Sequence, residues 1–298
     1  MKKQPKIKTV GFINVDKPSG IVSSAVVNKI KWLTGYPCGH MGTLDPLASG
    51  VLPVGVGNAT RLFDYFLAKR KKYIAEFTFG VSSDTLDSTG ELTFGGDVPT
   101  ESEIEKVLPS LTGEVWQVPP KYSAKNVNGR RGYDLARAGI DFELPPKKIV
   151  IHDIKLLGRS EENENTFRVE IACGGGTYIR SIGRDLAAAL GTNAVMSSLR
   201  RTQSGVFTLE NAVPFDRLLD DTLTVEELEG LVIPTETVLP FERLFLSAKG
   251  WERIFNGVSV RVENDEADGE YTFYNVDGSF YGIAEVRGGK AKLKTKLC

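Results

Sequence analysis

Tyr73, Ala75, Phe77 and Phe79 recur at every second position, a period that predicts a strand with one buried face. Ile149–Leu157 and Thr166–Cys173 predict two further strands, and Gly11–Val15 a short one ended by the turn Lys17-Pro18-Ser19-Gly20. The unbroken apolar run Val51–Val56 predicts a strand buried on both faces. Elsewhere the period is helical. Val26, Val27, Ile30 and Leu33 predict a helix with Ser24 as its N-cap and Gly35 as its stop. Asn58 is expected to cap a helix carrying Leu62, Phe63, Phe66 and Leu67. Ser181 is expected to head another with Ile182, Leu186 and Leu190, closed by Gly191.

From Gln117 to Pro146 the pattern dissolves into Pro, Gly, Lys, Arg and Tyr, too long a stretch for an idle connection. A break falls near Pro234–Pro240, after the acidic run 220–229. Beyond it Ser247 caps a short helix with Trp251, Ile254 and Phe255. Val258–Val262, Tyr271–Val276, Phe280–Val286 and Ala291–Leu297 then read as strands. The order of elements predicts an α+β fold with a largely antiparallel central sheet and flanking helices, plus a small C-terminal β-rich unit. The expected division is 1–237 and 238–298, with an insertion at about 119–148 in the larger part.

With 298 residues, 41% hydrophobic and 25% charged, the composition is that of an ordinary globular protein and excludes disorder. No apolar run approaches a bilayer span, and Met1-Lys2-Lys3-Gln4 lacks the apolar core of a signal peptide. Cys38, Cys173 and Cys298 are scattered and odd in number, so no disulfide framework is expected. With only His40 and His152 beside them, no metal-ligand cluster is expected either. The protein is therefore expected to be cytoplasmic, reduced and metal-free, and a monomer is expected separately.

The net charge of −1 hides blocks. Residues 1–72 carry twelve Lys/Arg against three Asp/Glu, and 119–160 nine against four. Residues 81–118 hold one basic residue against eight acids, and 206–270 five against fifteen. Such blocks ordinarily mark solvated faces. Two basic blocks rich in Gly, Tyr and Pro also suit a polyanion-facing surface on an otherwise acidic body.

The segment richest in chemical information is Gly39-His40-Met41-Gly42-Thr43-Leu44-Asp45-Pro46-Leu47-Ala48-Ser49-Gly50. Proline pushes the preceding Asp45 out of the α region, and nearby glycines allow close backbone approach. A lone Asp-Pro pair is ordinarily a turn. The full segment resembles the catalytic motif of the bacterial tRNA pseudouridine-55 synthases, the TruB family. The likeness continues in order through Asn14–Gly20, Lys72-Tyr73, Pro119–Ala124, Gly132-Tyr133, Ala136–Gly139, Gly176–Ser181 and Ser198–Thr202. It covers about residues 11–210, whereas the last 60 residues resemble a PUA-type RNA-binding domain only loosely.

The resemblance implies an isomerase that needs no cofactor and acts on the T stem-loop of tRNA. Asp45 is implied as its catalytic carboxylate, attacking the sugar, attacking the base or removing a sugar proton. A carboxylate in a water-excluding site needs a cation to stay charged, and Arg180, with a planar two-point fork, is the candidate. Tyr73 is either a core aromatic or a ring packed on the target base with its hydroxyl available for proton transfer. Leu199 is either a floor for the base or a core leucine. His40 is implied as the wedge that fills the place of a flipped-out uridine. Lys17, from the Lys-Pro motif, and Tyr178, from the arginine motif, are implied substrate contacts. The insertion supplies Lys121, Lys125, Arg130 and Arg131 for phosphates and Tyr122 for stacking.

Gly174-Gly175-Gly176 reads as room for a strand-to-helix turn, since a lone glycine run is a weak phosphate signal. A non-catalytic RNA-binding protein would need the basic insertion but not Asp45 together with Arg180. An aspartyl-phosphate hydrolase would need a second acid beside its nucleophile, and between Asp16 and Asp64 there is only Asp45. Among pseudouridine synthases a ribosomal-RNA enzyme is the nearest alternative, against which the His40 segment and the insertion argue.

Overall fold

The computed structural model describes residues 7–9, 11–123, 125–127, 129–262 and 267–297, without the side chain of Arg131. Cys298 and Ala124 lie outside the described residues. The body is an eleven-stranded sheet whose principal strands are β1 (Gly11–Lys17), β2 (Ser49–Val56), β3 (Lys71–Phe79), β4 (Gly113–Gln117), β5 (Lys147–Arg159), β6 (Thr166–Cys173), β7 (Ala194–Ser204) and β8 (Val213–Pro214). Their order across the sheet is β8-β1-β2-β7-β3-β6-β5-β4. Pairings along it are antiparallel except β1 with β8 and β7 with β2. The largely antiparallel α+β sheet expected from the sequence is present.

β3 buries Lys71, Tyr73, Ala75, Phe77 and Phe79 on one face, as its period of two requires. β2 is buried from Gly50 to Val56. Helix α1 (Ser23–Thr34) begins one residue before the expected cap and has Val22 in the N-cap position without a side-chain bond. The Ser23 hydroxyl instead serves the loop around Asp45, donating to the Leu44 carbonyl at 2.7 Å. Gly35 ends the helix in the left-handed region, φ 74°. Asn58 caps nothing: Gly57–Leu62 is a 3₁₀ turn leading into a short α-helix, Phe63–Leu67.

Helix α2 (Ile179–Ala189) starts before Ser181, whose hydroxyl donates to the Val118 carbonyl at 3.0 Å. A Cβ on Gly183 would stand 2.5 Å from the Phe77 ring, so only glycine lets α2 pack this close to β3. A Cβ on Gly175 would stand 1.9 Å from the Leu67 carbonyl oxygen, so the glycine run serves packing. The insertion is not wholly irregular. It holds a two-stranded ribbon, Asn126–Val127 with Arg130–Arg131, and a short helix, Gly132–Arg137.

A separate five-stranded sheet spans Arg243 to Lys296, including β9 (Gly269–Tyr274), β10 (Phe280–Arg287) and β11 (Lys290–Lys296). Ser247 caps helix α3 (Ala248–Phe255) by accepting the Gly250 N–H at 3.4 Å. The two sheets share an apolar cluster: Phe12, Phe66 and Phe207 of the body pack with Val238, Leu239, Ile283 and Leu297. No helix among the described residues is long and apolar enough to cross a membrane.

Because Ile283 is buried in this shared cluster, truncating it opens a cavity at the junction. Ile283→Ala is expected to cost about 2–4 kcal/mol in urea unfolding. A loss under about 1 kcal/mol would show that the site collapses freely and the junction bears little on stability.

Candidate active site

Asp45 lies on the loop that leads into β2, and its backbone neighbours are tied on both sides. Leu44 exchanges two hydrogen bonds with the Ser23 hydroxyl, and the Asp45 carbonyl accepts the Ala48 N–H at 3.0 Å. The Pro46 carbonyl accepts the Gly20 N–H at 2.8 Å. The Lys17 ammonium, fully buried, donates to the carbonyls of Pro18 at 2.9 Å, Ile21 at 2.7 Å and Pro46 at 3.4 Å. Its donors thus tie together the loops flanking Asp45.

Arg180, in the first turn of α2, meets Asp45 as the two-point fork expected from guanidinium geometry. Its Nε stands 2.9 Å from Oδ2 and its Nη2 donates to Oδ1 at 3.2 Å. The remaining donors reach the Thr85 carbonyl at 2.9 Å and the Tyr122 carbonyl at 3.0 Å, and Nη1 stands 3.5 Å from Asp87 Oδ2. The Arg180 side chain is 7% exposed, while that of Asp45 is 35% exposed and so keeps one open side. Burial pushes the Asp45 carboxyl above the ordinary carboxylate range; Arg180 pulls it back and Asp87 pushes with burial.

Asp87 is buried and was not foreseen. Its Oδ1 accepts from the Thr85 hydroxyl at 2.8 Å and from the Thr89 N–H at 3.0 Å, and the preceding Leu86 has φ 62°. It lies in the acidic block 81–118, whose composition reads as a solvated face, so no local signal marks it.

Tyr73 is buried on β3, directly across from Arg201 of β7. Burial raises its phenol, while the charge of Arg201 and a hydrogen bond from it lower it. Arg201, 1% exposed, also donates from Nε to the Val51 carbonyl at 2.6 Å and from Nη2 to the Gly42 carbonyl at 3.0 Å. Leu199 is buried in the same apolar cluster as Leu44 and Tyr73. Tyr178 sits at the start of α2, its N–H and carbonyl both bonded to the Gln117 side chain, at 2.9 and 3.1 Å. The charges of Arg180 and Asp45 both act on its phenol, which burial raises. Asp45, Arg180, Tyr73, Tyr178 and Lys17 are therefore brought together.

His40 lies at the end of the short strand Cys38–His40, paired with β2, and its Nε2 is 3.5 Å from the Thr43 hydroxyl. Its Nδ1 is buried without a partner, and burial pushes the imidazole below its ordinary value. The insertion reaches this group through the Tyr122 carbonyl, which accepts from Arg180. The Tyr122 ring meets Tyr133 edge to face at 6.0 Å, and its hydroxyl bonds Asp84. Lys121 pairs with exposed Asp141 at 2.7 Å, Arg130 is exposed on the ribbon and Lys125 precedes it. The Arg131 side chain is outside those described.

Comparison with known proteins fixes the class. The N-terminal domain of the TruB family of pseudouridylate synthases matches residues 31–179, and the tRNA pseudouridylate synthase B C-terminal domain matches residues 180–240. The chain belongs to the TruB family of pseudouridylate synthases. The tRNA pseudouridine synthase B of Dehalococcoides mccartyi strain CBDB1 is 39% identical over 279 residues, 92% of each chain. That of Gluconobacter oxydans is 45% identical over 228 residues, 75% of this chain and 68% of its own. A chain of a crystal structure of a Cbf5-Nop10-Gar1 complex shares the fold, with TM-score 0.69 and 24% identity over 97% of this chain and 85% of that one.

Beneath the loop, Lys71 is a second buried lysine whose ammonium, among the described residues, donates to carbonyls, those of Leu67 at 2.8 Å and Lys69 at 3.0 Å among them. Burial lowers Lys17 and Lys71 to about 8. In the unfolded chain lysine titrates near 10.5. The unfolded state therefore holds more protons than the native one from about pH 8 upward, and stability rises with pH there. Between pH 7 and 9 each lysine is expected to add on the order of 1 kcal/mol, measured by urea unfolding. Lys71→Met should lose about half of that rise, and a flat profile in the wild-type protein would contradict two buried, depressed lysines.

Proposed function

We propose that this chain converts uridine 55 in the T loop of tRNA to pseudouridine, with the base flipped out of the loop and Asp45 as the catalytic carboxylate. The observation that carries the reading is the fork of Arg180 on Asp45, 2.9 and 3.2 Å, which holds in place a carboxylate that keeps one open side. The names borne by the relatives support tRNA as the substrate.

In the isomerisation the N1–C1′ bond breaks, the base turns, and C5 bonds to C1′. C5 then loses its proton and N1 gains one, so every atom is kept and no electrons leave the pair. Asp45 serves this by attack on the sugar, attack on the base or removal of a sugar proton. Each role needs the ionised carboxylate, and Arg180 opposes the burial that would protonate it. A group raised by burial is a stronger base and nucleophile than an exposed aspartate once ionised. Tyr73 and Leu199 border the space for the base, and His40 takes the place it leaves, its free Nδ1 facing no protein partner. Lys121, Lys125, Arg130 and Arg131 meet phosphates, and Tyr122 and Tyr178 contact the loop.

Asp45→Asn keeps the shape of the side chain and removes its charge. Pseudouridine mapped in tRNA after incubation with this variant is expected to fall below about one per cent of wild type, with RNA affinity kept within about tenfold. Turnover above that level would remove Asp45 from its role.

Within this reading 1–237 forms the catalytic unit and 238–298 an RNA-binding, PUA-like one. Lys290, Lys292, Lys294 and Lys296 are exposed on one face of β11, although Lys294 pairs with Glu270 and Lys296 lies over Phe255 and Tyr281. Such a face contributes salt-dependent affinity and no chemistry. A chain ending at Thr237 uncovers the shared apolar cluster, so it is expected to melt earlier. Below its melting temperature it should modify a T stem-loop at near-normal saturated turnover, and bind whole tRNA more weakly with a shallower dependence on salt. Lost turnover in a folded truncation would show that the C-terminal unit helps build the site.

A further inference from the structure

Gln117 is the last residue of β4, the strand at one end of the sheet order, and is 2% exposed. None of the roles above employs it. Its amide Oε1 accepts the Tyr178 N–H at 2.9 Å, and its Nε2 donates to the Tyr178 carbonyl at 3.1 Å. A glutamine amide carries the same donor and acceptor as a backbone residue. It therefore pairs with Tyr178 much as a residue of a neighbouring strand would.

The segment it pairs with needs such a partner. β6 ends at Cys173, and Gly174-Gly175-Gly176 lead on to Tyr178, with Gly176 at φ 78°. A glycine backbone has the widest choice of conformations, so this turn does not by itself set the direction of the helix it feeds. Tyr178 is the N-cap residue of α2 and makes no side-chain cap bond. Arg180 follows two residues later, so an error in the entry of α2 displaces the guanidinium that grips Asp45. The chain after Gln117 meets the same end of α2. The Val118 carbonyl accepts from the Ser181 hydroxyl and from Arg184 Nη2, both at 3.0 Å, and the Tyr122 carbonyl accepts from Arg180 Nη2 at 3.0 Å. Those bonds start from side chains of the helix, whereas Gln117 grips its backbone.

We infer that Gln117 is a positioning residue which sets the entry of α2 by pairing with both backbone groups of Tyr178, and so holds Arg180 in its fork on Asp45. This inference rests on the function proposed above and names a residue, remote from the reacting atoms, on which the fork depends.

Gln117→Met keeps the length and bulk of the side chain and removes both bonds. Saturated turnover on a T stem-loop is expected to fall about ten- to a hundredfold, with Kd for the RNA within about threefold. A role in packing alone would lower the folded fraction and leave the pH profile of kcat where it was. A loosened fork moves it. Arg180 and Lys17 pull the Asp45 carboxyl down, while burial and Asp87 push it up, so with Arg180 displaced the carboxyl titrates at higher pH. Activity that needs the ionised form is lost as pH falls through that value, and the acid limb of kcat is expected to move up by about half a unit or more.

A folded variant with kcat within about twofold of wild type overturns the inference. So does a lowered kcat whose acid limb stays in place, or a loss of affinity at unchanged kcat. Where Gln117→Met does not fold, amide hydrogen exchange in the wild-type protein decides. The Tyr178 N–H should exchange at least about a hundredfold more slowly than in an unstructured peptide, and an unprotected N–H contradicts the pairing. Wild-type turnover on the same RNA separates the two claims. If it is absent the proposed function fails, and the hold on α2 is then judged at the Ile182 N–H, whose acceptor is the Tyr178 carbonyl. Faster exchange there in Gln117→Met upholds it, and an unchanged rate refutes it.

Discussion

Arg180 has five N–H groups to satisfy inside the protein, and the way it satisfies them organises the site. Two go to Asp45, and the others reach the Thr85 carbonyl, the Tyr122 carbonyl and the neighbourhood of Asp87. One side chain on α2 thereby joins the Asp45 loop, the 84–89 turn and the start of the insertion. Each of these segments is irregular. A bond to a buried charge is stronger than a neutral one, and a buried charge left unpaired is costly, so the loops are bound to positions that satisfy it. Asp87 closes the arrangement by adding negative charge that balances the guanidinium and raises the basicity of Asp45.

Under the same loop runs a second layer of cations. Lys17, Lys71 and Arg201 are all buried, and all point their donors at backbone carbonyls of 18–21, 42–46, 51 and 66–69. Long basic side chains give these carbonyls donors beyond those the backbone supplies. The cost of burying the charge appears in the two lysines, whose ammonium groups are lowered to about 8. Asp45 favours the charged form of Lys17, so the Asp45 carboxylate and the support beneath it are electrostatically linked.

The C-terminal sheet meets the body through aromatic and aliphatic side chains rather than charge. Phe12, Phe66 and Phe207 lie within 4.9–5.4 Å of one another, and Ile283 and Leu297 join their cluster. The link Arg61 Nη1 to the Lys296 carbonyl, 2.8 Å, adds a polar contact at the rim. An apolar junction of this kind holds the final strand, with its exposed lysines, at a set place on the body.

Much of this was legible along the chain. The alternation in 73–79 determined β3, the apolar run 51–56 determined β2, and Ser247 determined the start of α3, because each is a local consequence of period or capping. Asp45 and Arg180 were legible through the motifs that resemble the TruB family, and the need of a buried carboxylate for a cation then joined the two. Strand β7 was not legible, although it is central to the sheet. Its bulges at 196–198 and 201–203 break the period of two, and its buried residues include Arg201, so no hydrophobic pattern marks it. Asp87 and Arg201 escaped for the same reason. A buried charge is stabilised by partners distant in sequence, here Arg180 for one and the Gly42 and Val51 carbonyls for the other, and only the folded sheet brings those partners together.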